Sequence, residues 1–182
     1  MPLATTHDRI TLWTAPAIIL ATGLVTEQAD ITLATATAYL FSGLMFSGDL
    51  DIYSKQYRRW LGLRWIWIPY RRLMRHRSFW SHGLLVGSLI RLLYLGVWLG
   101  ILLLPVAALG ALAGYWLWQP STWLSDLWQW GQVHQPLLIG IFCGLELGSI
   151  NHSLSDWTFS SWKRWRKRWQ KPRRRSYRVR RS

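Results

Sequence analysis

The residues in this chain able to do chemistry are His7, the pair Asp49 and Asp51, the set His76, Arg77 and His82, and the late set Glu146, His152 and Asp156. Carboxylates and imidazoles are the ligands a divalent cation takes. Two carboxylates within three residues, as in GDLD at 48–51, repel each other unless a cation lies between them, and bridging two metals is a common use. A solvated helix end turning at Ser47 and Gly48 is the plainer alternative. In HRSFWSH, residues 76–82, six residues of regular helix would turn the second imidazole about 120° away from the first. The segment must therefore bend or unwind if both rings are to reach one ion. The run of Lys and Arg before His76 disfavours imidazolium and keeps the ring ligand-competent. Arg77 would then offer a planar fork to a phosphate or carboxylate held on a metal. An ordinary basic loop at a membrane surface would look the same.

His152 and Asp156, spaced i, i+4, share one face of a helix as two ligands, as a ligand with its orienting carboxylate, or as a plain surface hydrogen bond. Glu146 lies about 9 Å further along that helix. An ionisable group at such depth faces a bundle interior and serves as a supporting base or an added ligand. His7 sits in THDR, where Thr6 or Asp8 is suited to cap the first helix.

These groups span 150 positions, so the elements between them must bring them together. The sequence has 182 residues, 51% apolar, with 15 Trp and a net charge of +14. A mean hydropathy of +0.07 looks low for a membrane protein, but the average hides a segregation. Of the 22 Lys and Arg residues, eight lie between Lys55 and Arg77 and twelve between Lys163 and Arg181. The apolar runs are left nearly free of charge. Residues 10–26 and 31–46 are uncharged and rich in small residues, the short end of what crosses a bilayer. Residues 92–118 form an uncharged run of 27, and 136–150 are apolar apart from Glu146. Pro16 and Pro105 are expected to kink their helices. The N-terminus lacks a signal-peptide pattern, so the first apolar stretch is expected to stay in the mature chain. The single cysteine, Cys143, excludes an intramolecular disulfide and a thiolate zinc cluster, and is expected as a small core residue.

Both basic blocks belong on the cytoplasmic side, while the linkers holding Glu27, Asp30 or Asp126 carry no Lys or Arg and can lie outside. Four crossings satisfy this: 10–26 outward, 31–47 back, 88–118 outward and 136–151 back. That topology also puts His7, Asp49, Asp51, His76, His82, His152 and Asp156 beside one leaflet and leaves His134 on the other. The connection 119–135, with Trp123, Trp128 and Trp130, suits the far interface. In the tail from 159 to 182, Trp162, Trp165 and Trp169 recur at helical spacing among Lys and Arg. This is the pattern of a helix lying in the headgroup layer on anionic lipid. Arg-rich, aromatic-interleaved sequence also suits nucleic acid.

The strings THDRITLW, FSGLMFSGDLDIYSKQYRRW, LRWIWIPY, RHRSFWSHG and NHSLSDW together resemble a family of uncharacterised metal-binding membrane proteins. That family is similar to the LexA-binding, inner-membrane-associated hydrolases, whose pattern is an early His, a PDxD-like element, an HRxxTHS-like element and a late HxxxD. Here Gly48 stands where the pattern has proline, and the second element is one residue longer. The resemblance covers about residues 5–90 and 144–158, and it implies a metal-binding membrane protein with hydrolase chemistry.

The sequence thus predicts an all-α, multi-pass membrane protein: a helical domain over 1–158 and a basic tail over 159–182. Seven ligands (His7, Asp49, Asp51, His76, His82, His152, Asp156) are expected to hold one or two divalent ions at the cytoplasmic face, zinc first, with manganese or iron as rivals. Arg77 and Glu146 would act beside them on an ester or phosphoester of a small or lipid-derived substrate. The alternative is a non-catalytic scaffold with a structural metal and a tail that recruits anionic lipid, nucleic acid or a protein partner.

Overall fold

The uncharged stretches are helices in the computed structural model, which describes residues 4–76, 78–114 and 120–170. Helix α1 covers Ala4–Thr26 and α2 covers Ala29–Met45. A 3-10 turn at Gly48–Asp51 leads to the short helix α3, Lys55–Arg59. After a second 3-10 segment, Leu61–Ile66, come α4, Trp67–Leu73, and α5, Phe79–His82. The long helices α6, Val86–Leu112, and α8, Gln135–Gln170, flank α7, Pro120–Val133. No strand occurs among the described residues, and four helices are long and apolar enough to cross a membrane. Pro16 and Pro105 both sit inside unbroken helices.

The frame is the pairing of α2 with α8. Gly140, Gly144 and Gly148 recur every fourth residue on α8, and their missing side chains admit the backbone of α2. A Cβ on Gly144 would stand 2.3 Å from the Thr35 carbonyl oxygen, and one on Gly148 would stand 2.6 Å from that of Tyr39. Small residues permit this approach, and it replaces apolar burial as the source of helix association where the surroundings are themselves apolar. The seam is tied by the Ser42 hydroxyl, which donates to the Leu145 carbonyl at 2.5 Å. On the other side of α2, Gly43 presses against Thr11 of α1. Asn151 reaches across to donate to the Tyr39 hydroxyl, which also pairs with Thr14.

Between the end of α2 and the basic segment lies a largely aromatic core of Phe46, Leu50, Tyr57, Trp67 and Tyr70, with Trp67 wholly buried. Trp67 meets Phe46 and Tyr70 edge-on at 5.8 and 5.6 Å between ring centroids, the arrangement that the ring quadrupoles favour. The Arg71 guanidinium covers the Tyr57 ring at 4.6 Å, a cation–π contact.

Several sequence expectations need correction. Cys143 is exposed rather than in the core, because the packed ridge of α8 is the glycine row beside it. Neither Thr6 nor Asp8 caps α1, which starts at Ala4. Asp8 lies a turn inside and pairs with Lys55 and with Arg59, at 2.7 Å to Arg59. Within the far connection, Pro120–Val133 forms α7, and its Trp123, Trp128 and Trp130 are exposed. Helix α8 itself runs on through Trp162, Trp165 and Trp169 to Gln170, carrying the start of the basic tail. Trp116, Trp118 and the basic tail from 171 to 182 lie outside the described residues.

Candidate metal centre

The centre is built from the start of α1, the turn after α2, the link from α4 to α5 and one face of α8. The C-terminus of α2 leaves carbonyls without helical partners, and the next segment supplies them. The Gln56 amide donates to the Gly43 carbonyl at 3.0 Å, Arg59 to that of Leu44 at 2.8 Å, and the Trp60 indole to that of Met45 at 2.9 Å. These caps hold the 3-10 turn that presents Asp49 and Asp51. Between α4 and α5 the chain is extended at Met74 and turns at His76, so the two imidazoles of 76–82 do not diverge as they would on one helix. Ser78 caps α5, accepting from the Ser81 amide at 3.3 Å. His152 and Asp156 come from one face of α8, and His7 from the first turns of α1.

All seven acid and imidazole side chains form one chain of contacts. His7 Nε2 lies 3.3 Å from Asp156 Oδ1, and the His7 and His152 rings are 4.3 Å apart. His152 Nε2 lies 3.3 Å from Asp49 Oδ2, and Asp49 Oδ1 lies 3.8 Å from His82 Nε2. Asp51 receives His76 Nδ1 at 2.8 Å on one oxygen and stands 3.6 Å from His82 Nδ1 with the other. Two triads result, His7–His152–Asp156 and Asp49–His76–His82, each with ligand atoms within 4.8 Å of one another. Asp49 touches both.

Whether these residues fit a metal is decided by what they leave unpartnered. His7 Nδ1, Asp49 Oδ1, Asp51 Oδ2, His76 Nε2, His82 Nε2 and both nitrogens of His152 are buried with no hydrogen bond. Buried polar atoms are almost always paired, and imidazole nitrogens with carboxylate oxygens are the donor set of zinc or another divalent ion. They fit. Asp51 lies on the Nδ1 side of both His76 and His82, and the Ser81 hydroxyl is 2.9 Å from His82 Nδ1. Both rings therefore leave Nε2 free to hold a cation, with the Nδ1 side fixed as a carboxylate behind a ligand imidazole fixes its tautomer.

Glu146 stands in neither triad. Its Oε1 accepts from the Leu85 amide at 2.6 Å, while Oε2 is buried and unpaired. Leu85 has φ +61° and ψ −51°, and Val86 N–H bonds back to the Leu84 carbonyl at 2.7 Å. That is a strained γ-turn, and the carboxylate pins it three residues after His82. Arg77 lies outside the described residues.

Three residues at the centre have roles that the sequence reading did not assign to them. Gly48 leaves room for His82: a Cβ there would stand 2.8 Å from His82 Nε2. Ser81 sets the His82 ring. Arg91 is 2% exposed and donates to the Ser81 carbonyl at 2.8 Å and to the Ser149 hydroxyl at 2.8 Å. It thus ties α6 to α8 behind the imidazole. Its signal was there to read, as the lone charge at the head of an apolar run. Burial pushes the neighbouring Tyr70 phenol above its ordinary value, with Arg91 pulling the other way. His134 stays apart, its ring stacked on Trp130 and its Nδ1 2.9 Å from the Trp130 carbonyl.

An all-helical chain with four helices of bilayer length and a buried His/Asp cluster suited to divalent cations is the class that fold and site define. The chain belongs to the family described as "Uncharacterized metal-binding protein (DUF2227)", matched over residues 2–166. It is also similar to an uncharacterized protein of Aquifex aeolicus (strain VF5), 34% identical over 67 residues, which is 36% of this chain and 47% of that relative. The matched region thus spans about half of that relative's length. No solved structure matches the chain.

Proposed function

We propose that this is a multi-pass membrane protein whose cytoplasmic face holds two divalent ions, zinc first with manganese or iron as rivals, and hydrolyses an ester or phosphoester near the bilayer. The observation that carries the reading is Asp49, whose two oxygens face one imidazole in each triad while buried ligand atoms around it have no other partner. When bound, such ions supply Lewis acidity and a nucleophile at neutral pH. The protein's own part is positional. Asp51 and Ser81 orient His76 and His82, Arg91 fixes the backbone behind them, and Glu146 holds the turn that follows. Arg77, beside His76 in sequence, is proposed to steady developing negative charge. Kinship to the LexA-binding inner-membrane hydrolases belongs to this same proposal.

Membrane insertion is supported by surface chemistry. Helix α6 exposes Leu89, Leu93, Val97, Ile101, Leu104 and Leu109 along its length, far more apolar surface than a monomer leaves in water. In the proposed topology both ends are cytoplasmic, and the basic segment before His76 rests on anionic lipid. The test is metal analysis of the detergent-purified protein, repeated for His76→Ala and Asp49→Ala, together with turnover of a generic phosphoester panel. Metal lost in both variants, with metal-dependent turnover in the parent, is the expected result. Metal retained without any turnover would instead favour a scaffold with a structural ion.

A further inference from the structure

The face of α8 that carries His152 and Asp156 does not end at the centre. Ser153, Trp157, Ser160 and Arg164 follow at helical spacings of three or four, which keeps them on one side. Together with His82 and Asp156 they line a cleft of about 270 Å³. Its floor holds one residue from each triad, so it opens onto both halves of the centre. Its wall offers two hydroxyls, a guanidinium and an exposed indole. Helical side chains lean toward the N-terminus, which aims Arg164 back along α8 toward the floor. One of its nitrogens is anchored, donating to the Ser161 hydroxyl at 2.9 Å.

Charge selects the occupant. Three aspartates do not neutralise two divalent cations, Arg164 adds another positive charge, and Asp156, the one carboxylate in the lining, already faces His7. Cations are therefore repelled, while a tetrahedral oxyanion meets a forked donor and hydroxyls. The cleft lies just past the apolar stretch of α8, and the exposed Trp157, Trp162 and Trp165 suit headgroup depth.

We infer that this cleft is the substrate entrance and that it takes a phosphate ester group, gripped by Arg164 and steadied by Ser153 and Ser160. The inference rests on the metal-dependent hydrolase reading and gives it a substrate class. It is tested on the full-length protein in detergent, loaded with zinc, by calorimetric titration with inorganic phosphate. Wild type should bind phosphate, and Arg164→Gln should weaken it about tenfold with metal content unchanged. Arg166→Gln, on the opposite side of α8, should have no effect. A metal-loaded protein that ignores phosphate, or binds it equally well after Arg164→Gln, overturns the inference while leaving the hydrolase reading standing. A protein that takes up no metal overturns both. In nanodiscs of phosphatidylcholine with or without phosphatidic acid, displacement of phosphate by phosphatidic acid assigns the group to a lipid headgroup. Phosphate binding indifferent to it assigns a soluble phosphate ester.

Discussion

At the scale of single residues, the centre is one connected object, and its members should fail in different ways. Asp49→Ala removes the residue that belongs to one triad and touches the other and should empty the site of metal. His134→Ala should leave the metal content at the parent level in the same elemental analysis. Gly48→Ala places a methyl 2.8 Å from the His82 ring nitrogen. A displaced ligand should weaken metal affinity by about 10- to 100-fold, read by competition with a chromophoric chelator, while the helical circular dichroism is kept. Glu146 separates a clamp from a base. Glu146→Gln can still accept from the Leu85 amide, so metal content and unfolding temperature should be near wild type. Glu146→Leu, which cannot accept, should lower both. A loss of turnover in Glu146→Gln with metal and stability intact would instead make the carboxylate a proton carrier. Arg91→Met leaves the Ser81 carbonyl and Ser149 without their buried donor, which should cost about 2–4 kcal/mol in unfolding of the detergent-solubilised protein.

At the scale of helices, what matters is how α2 and α8 approach, since one carries the turn with Asp49 and the other carries His152. Gly144→Leu drives a side chain into the Thr35 carbonyl, where even a Cβ would stand at 2.3 Å. Overpacking of that kind costs about 1–3 kcal/mol or more, so both unfolding temperature and metal content should fall together. Gly96→Leu on α6 is the contrast, with nothing within 4 Å of an added Cβ, and should be silent in both measurements. The carbonyls at the end of α2 are satisfied by side chains of α3 and the residue after it, and Asp8 ties α1 to that same short helix. The basic segment is therefore part of the scaffold of the site as well as a charged surface.

At the scale of the molecule, the gathered cluster demands that His7, the Asp49 turn and the His152 face lie on one side of any membrane the helices cross. With Cys143 replaced by serine, single cysteines at Ser54 and Ser161 should react with an impermeant maleimide from the cytoplasmic side of inverted vesicles. One at Gln132 should react from the other side only. Labelling of Ser54 and Ser161 sites from opposite faces would sink the topology. Depletion of metal by a chelator should lower the unfolding temperature of the solubilised protein, because the clustered carboxylates lose the cation between them.

The sequence alone was enough to place the long helices, since uncharged runs of bilayer length leave few other options. It also brought out the seven acid and imidazole residues, because charge asymmetry between linkers predicts them on one face, and they lie in contact in the fold. It did not reveal the contacts of the packed site: Gly48 under His82, Ser81 behind it, Arg91 behind both, and Glu146 on the Leu85 turn. Nor did it reveal that Cys143 faces outward, that Asp8 binds Lys55 and Arg59 instead of capping, or that α8 continues unbroken past 158. Composition and period are properties of a segment and are fixed before folding. Which nitrogen of an imidazole faces inward, and which glycine must stay bare, depend on neighbours that only the packed structure supplies.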